Sequence, residues 1–235
     1  MTVRTAFFFI LFLLAFSFSA TAQTKRKTVV PGQRAIVVDE RLSALRALPD
    51  VRSALDQRLR RGRVVGILGS KKSKDGKEFL RVSVTKNTRG WVLAEAIVKA
   101  GSSADAERLL KLVEDTDDDF IKARLAKLCA EEFRSTPTAP RCLLKLGEAA
   151  DRAADRLTRD AKRRVGNEEP SAGLSKRDYF LNFTGLDRYN RIGVLFDYDD
   201  KAERIIYDQD AYRELARRYP KSTEVQAAKD KLSKK

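Results

Sequence analysis

The chain has 235 residues, 43% of them hydrophobic and 34% charged, with 12 Gly and 6 Pro, which suits one or two globular domains and excludes a collagen-like or largely disordered chain. The formal net charge is +15, and there is no histidine. Zinc hydrolases built on histidine ligands and cysteine peptidases built on a Cys–His pair are therefore excluded; a carboxylate-only glycosidase stays open, though no surrounding motif supports it.

The first 22 residues read as a cleavable secretory signal. Arg4 precedes a run of Phe, Leu, Ile and Ala over residues 6–18, and Ala20-Thr21-Ala22 supplies the small-x-small pattern of a cleavage site. The run is shorter than the roughly twenty residues that span a bilayer. The mature chain is expected to begin at Gln23, to lie in the periplasm or outside the cell, and to hold no transmembrane segment. In an oxidising compartment Cys129 and Cys142, thirteen positions apart, are expected to form a disulfide.

Residues 23–33, polar and basic with Pro31-Gly32, read as a linker or frayed strand. Short strand-like runs follow over residues 34–101. "RAIVVDE", "GRVVGILGS" and "FLRVSVTK" are β-branched or alternating, an Asp75-Gly76 turn separates the last two, and "TRGWVLAEAIV" closes the set. This pattern predicts a small antiparallel barrel or sandwich. The succession resembles the bacterial SH3-like (SH3b) domain. Arg46 and Pro49 stand in the family's arginine-and-proline loop, with Ala47-Leu48 in place of its glycine, "GRVVGILG" stands for its "G-x-x-V-x-V-L" strand with Ile67 at the second valine, and Gly90-Trp91-Val92 matches its "G-W-V". Phe79 stands nearest to the family's missing second tryptophan. The resemblance implies that Gly90 permits a tight turn and that Trp91 and Val92 enter the last strand, with Trp91 as a core or groove-wall residue.

From Ser102 the apolar period becomes helical. Ser102 with Asp105, and Thr116 with Asp119, predict capping-box starts for two helices. "STPTAP" ends the second, and Pro140 opens a third that ends at Gly166. Residues 102–166 thus form a helical bundle, and the polar "GNEEPSAG" separates it from the tail, residues 167–235. In the tail, Ser175 and Asp178 cap a short helix and "GLDRYNRIG" reads as a loop. Residues 194–198 against 204–207 form a hairpin or else begin a long helix; their β-branched and aromatic content favours the hairpin. Two helices, "DAYRELARRY" and "STEVQAAKDKL", finish the chain. Two segments share a plan, a helix ending in Phe133 or Tyr219, then Pro and Ser/Thr, then an Ala-rich helix. They resemble the tetratricopeptide-like helical pairs of bacterial envelope proteins. The expected fold class is therefore α+β, a small SH3-like β-barrel followed by a mainly α-helical domain.

Charge is uneven: residues 23–101 carry 19 Lys/Arg against 7 Asp/Glu, and residues 102–235 carry 28 against 26. The candidate binding residues are therefore Arg58, Arg60, Arg61, Arg63, Lys71, Lys72 and Lys74, with Lys77 beside them. On neighbouring loops of a small barrel they would attract a polyanion, or else form a solvated surface without a dedicated partner. Nucleic acid is not expected, because no aromatics for base stacking are interleaved. Peptidoglycan or another anionic envelope material, lipopolysaccharide phosphates or acidic lipid headgroups, is the expected partner of the barrel, and a protein that of the helical part. An accessory or inhibitor of an envelope enzyme is the alternative. Asp115, Asp117, Asp118 and Asp119 lack the glycine and glutamate of a calcium loop and read as a helix start. The aromatics of "FLNFTGLDRYNRIGVLFDY", near Arg188 and Arg191, suit either an interface or packing of the tail. No cofactor, metal or catalytic residue is expected.

Overall fold

The computed structural model describes residues 31–165 and 175–233. The expected signal peptide, most of the linker and "GNEEPSAG" lie outside them. The protein is mixed α+β, with an antiparallel seven-stranded sheet first and seven α-helices later among the described residues.

The strands are β1 (Gln33–Val37), β2 (Ala44–Arg46), β3 (Leu55–Arg58), β4 (Val64–Lys72), β5 (Glu78–Ser83), β6 (Arg89–Leu93) and β7 (Ile97–Lys99), in the order β3-β2-β6-β5-β4-β1-β7. Alternation sets the inner face. Leu80 pairs with Val92 and Val82 with Gly90, and the side chains of Leu80, Val82 and Val92 join Ala35, Val37, Leu45, Val65 and Ile97 in one buried cluster. A register shift between Ile67 and Gly69 bends β4, whose residues 64–67 pair with β1 and residues 66–72 with β5. The Asp75-Gly76 turn forms as the sequence requires, with Gly76 at φ +78°. The arginine-and-proline segment holds β2 and β3, a hairpin the sequence pattern did not show.

The helices are α1 (Ser103–Glu114), α2 (Asp119–Glu132), α3 (Ala139–Val165), α4 (Lys176–Leu181), α5 (Thr184–Arg191), α6 (Asp210–Arg218) and α7 (Val225–Ser233). Ser102 caps α1 by accepting from the Asp105 amide, but the Asp105 carboxylate accepts from Lys99 N (2.9 Å) and ties the helix to β7 instead of closing a box. The second expected cap is displaced. Asp118, not Thr116, caps α2, accepting from Ile121 N at 2.8 Å, while the Thr116 hydroxyl donates to Leu112 O. Among the described residues only Ser175 and Asp178 form the full reciprocal capping box. "GLDRYNRIG" is not a loop: it contains α5, with Gly193 at φ +70° just beyond the helix end. Residues 196–207 are a hairpin, β8 (Phe196–Asp199) against β9 (Arg204–Tyr207).

Cys129 on α2 and Cys142 on α3 are bonded and fully buried, with Cα atoms 5.8 Å apart. The turn between these helices is used twice. Phe133 N bonds Cys129 O, Thr136 N bonds Phe133 O, and Ala139 N bonds Thr136 O. The same three bonds recur 86 residues later at Tyr219, Ser222 and Val225. The two turns touch through Tyr219 Oη, which donates to Arg134 O at 2.6 Å.

Sheet and helices share a core. Ile36, Val38 and Val98, on strands β1 and β7 and the end of β1, belong to the buried cluster of Leu109, Leu110, Val113, Leu125 and Phe133. Across the same boundary Arg34 on β1 grips Glu132 on α2 with two nitrogens, Nε at 2.8 Å from Oε2, and Arg108 on α1 donates to Ile97 O.

Candidate functional site

The structure divides the expected basic cluster. Arg58 ends β3 and donates to Arg41 O at 3.0 Å. Arg60, Arg61 and Arg63 form the turn that enters β4, whereas Lys71 and Lys72 lie at its far end and Lys74 in the turn beyond. A nine-residue strand rises roughly 26 Å when straight, so β4 separates the two groups instead of gathering them. Lys71, Lys72 and Lys74 are exposed and make no ion pair among the described residues, while Lys77 pairs with Asp75 at 2.9 Å.

The arginine turn meets cations that the sequence did not single out. Gly62 O accepts from Arg124 Nη2 of α2 at 3.1 Å, which brings Arg63 and Arg60 toward the Arg124 guanidinium. A cleft of about 780 Å³ opens there between the sheet, α2 and the end of α5. Five cations line it, namely Arg34, Arg63, Arg124, Lys127 and Arg191, with Glu131 as the acidic residue on its wall. Val64, Val84, Leu128 and Ile192 supply an apolar floor. Burial, and then the charges of Arg63 and Arg60, lower the pKa of the half-buried Arg124; Glu40 opposes them more weakly. Arg34 goes the other way, raised first by its hydrogen bond to Glu132. Lys127 leans on Gly193 O (3.4 Å) and Glu131 (3.8 Å). Arg124, Arg34 and Lys127 carry no sequence signal, because they stand in separate segments whose charge is locally ordinary.

Other expectations resolve into packing. Trp91 is half-buried and faces away from the core that Val92 enters, in register between Arg46 on β2 and Arg81 on β5. Gly90 lies inside β6, not in a turn. Asp119 accepts from Arg152 (3.0 Å) and Arg156 (2.9 Å), and Arg156 also donates to Tyr189 Oη. Arg188 sits 4.9 Å over the Phe120 ring, and Tyr189 is wholly buried between Phe120 and Phe196. The aromatic stretch of the tail therefore packs on the bundle. Among the described residues no group of His, Cys, Asp and Glu is arranged to hold a metal ion, and no helix is long and apolar enough to cross a membrane.

A scan against protein-family models, a search of curated proteins and a search of solved structures each found no match.

Proposed function

We propose that the chain is an exported, non-enzymatic adaptor of the cell envelope, in which an SH3b-like barrel and a tetratricopeptide-like helical part hold anionic envelope material where they meet. The observation that carries this reading is the convergence of Arg63, Arg124 and Arg191 on one cleft. Arg124 is half-buried and feels the charge of Arg63, and a bound anion relieves that cost. The order of elements supports the barrel: a first strand, a long segment with Arg46 and Pro49, the bent β4, the Asp-Gly turn, β5, then Gly90-Trp91-Val92 and a short last strand. The repeated turn at Phe133 and Tyr219 supports paired helices of tetratricopeptide type, whose outer surface is the expected seat of a protein partner. Export is supported by the composition of residues 1–22 and by the Cys129–Cys142 bond.

Sedimentation of the mature chain with purified peptidoglycan tests the reading. Retention should fall as salt rises, because charges in open solvent are screened within about 10 Å at 0.1 M. Glutamine at Arg60 and Arg63 should weaken it further. Retention that salt leaves untouched would remove the electrostatic account. One observation favours a second reading, an accessory protein that grips an envelope enzyme: Leu48 and Leu55, beside and on the edge strand β3, are 63% and 51% exposed. Capture of one envelope protein by the mature chain, lost when both leucines become serine, would select it.

A further inference from the structure

The cations of the cleft are unequally compensated. Arg34 is paired with Glu132, and Lys127 with Glu131 and the Gly193 carbonyl. Arg63 and Arg124 each donate to one backbone carbonyl, of Val84 and of Gly62, and neither has a carboxylate in ion-pair contact among the described residues. Arg191, at the last position of α5, makes no ion pair among them either. Glu40, the acid whose charge acts on Arg124, already accepts the Arg61 amide at 2.9 Å. Three guanidinium groups therefore keep donors in hand around one space, on a floor of Val64, Val84, Leu128 and Ile192.

Both charge and shape narrow the ligand. A carboxylate brings one negative charge to three positive ones. A phosphate monoester carries about −1.5 to −2 near neutral pH and offers three acceptor oxygens, and guanidinium forks match phosphate geometry. A cleft of this size suits a small molecule, and its apolar floor suits an alkyl body. We infer that the cleft binds a phosphate monoester carrying an apolar group, with the phosphate between Arg63 and Arg124, Arg191 at the rim and the apolar group on Val84, Leu128 and Ile192. This inference rests on the reading of the chain as a binder of anionic envelope material and names the chemistry it selects. A phosphatidate headgroup and a soluble alkyl phosphate share that chemistry.

Calorimetric titration of the mature chain at low salt with hexyl phosphate, inorganic phosphate and hexanoate tests it. Hexyl phosphate should bind more tightly than either of the others. Arg63→Gln and Arg124→Gln should each weaken it about tenfold or more, the effect of losing a charge-assisted contact, whereas Lys229→Gln on α7 should leave it unchanged. Arg63 is exposed, so its variant reports on binding even where Arg124→Gln folds poorly. Flotation with phosphatidylcholine vesicles, with and without phosphatidic acid, assigns the source: capture only with phosphatidic acid selects the lipid, and hexyl phosphate binding without capture selects the soluble ester. Equal affinity for hexanoate, no heat with hexyl phosphate, or wild-type binding by Arg63→Gln overturns the inference. Peptidoglycan sedimentation run in parallel separates the two failures. Salt-sensitive retention by a chain that ignores hexyl phosphate overturns the phosphate assignment alone; loss of both overturns the wider reading as well.

Discussion

Gly90 has no room for a methyl group. A Cβ there would stand 2.7 Å from Leu45 Cγ and 2.9 Å from Arg46 O, because β2 lies against β6 as its antiparallel neighbour. Gly90→Ala should destabilise the protein by roughly 1–3 kcal/mol, the usual cost of overpacking, and urea denaturation followed by Trp91 fluorescence would measure it. An unchanged midpoint would mean that β2 is free to lift away. Asp208 tests a different balance. Burial is the largest influence on its carboxyl and raises its pKa; the Asp210 amide that it accepts at 3.0 Å opposes this. A carboxyl with a folded pKa above its unfolded value costs stability once ionised. That cost enters as pH rises through the ordinary aspartate value of 3.8 and is complete above the folded value. Asp208→Asn keeps the acceptor and removes the charge. It should be more stable than the parent near pH 7, and the gap should close below about pH 3. A gap that persisted in acid would assign the gain to something other than ionisation.

Among the elements, the α2–α3 hairpin depends most on a covalent link. The Cys129–Cys142 bond closes a loop of 13 residues in sequence, worth about 3 kcal/mol in the chain-entropy model. Its reduction should lower the melting temperature by roughly 6–12 °C in a chain of this length. Thiol titration of the unfolded, unreduced protein checks the premise, since two reactive thiols per chain would mean no bridge. The hairpin was legible beforehand: apolar spacing along α2, the break at "STPTAP" and Pro140 each have a local cause. So had the Ser175–Asp178 box and the Asp75-Gly76 turn. Elsewhere a valid local rule meets the wrong neighbour. The glycines of "GLDRYNRIG" do not break α5, since Gly185 lies in its first turn and Gly193 follows its end. Of four neighbouring acidic or hydroxyl residues before α2, the sequence could not choose the cap, because the choice depends on Asp119 reaching Arg152 and Arg156 on another helix. The β2–β3 hairpin was hidden for a related reason: β3 is exposed along its whole length, so no inward-outward alternation marks it.

At the scale of the molecule the site was half legible. The arginines of the turn before β4 stand out in sequence, but their partners do not, because Arg124 reaches the turn only when α2 docks on the sheet. The same docking governs stability. Ile36 and Val98 are wholly buried, yet they sit in the helical cluster and not in the sheet's own. A fragment ending near Gly101 would expose them and leave Arg34 without Glu132. Sheet and helices should therefore unfold together. Two probes can tell: Trp91, the only tryptophan, reports the sheet, and far-ultraviolet dichroism reports mainly the helices. Coincident urea transitions are expected, and two separated transitions would mean independent domains. Ile36→Ala sharpens the comparison. The residue lies on β1, so a self-contained barrel would confine the damage to the fluorescence transition. With a shared core, loss of its buried methyl groups should cost about 2–5 kcal/mol and shift both transitions by the same amount.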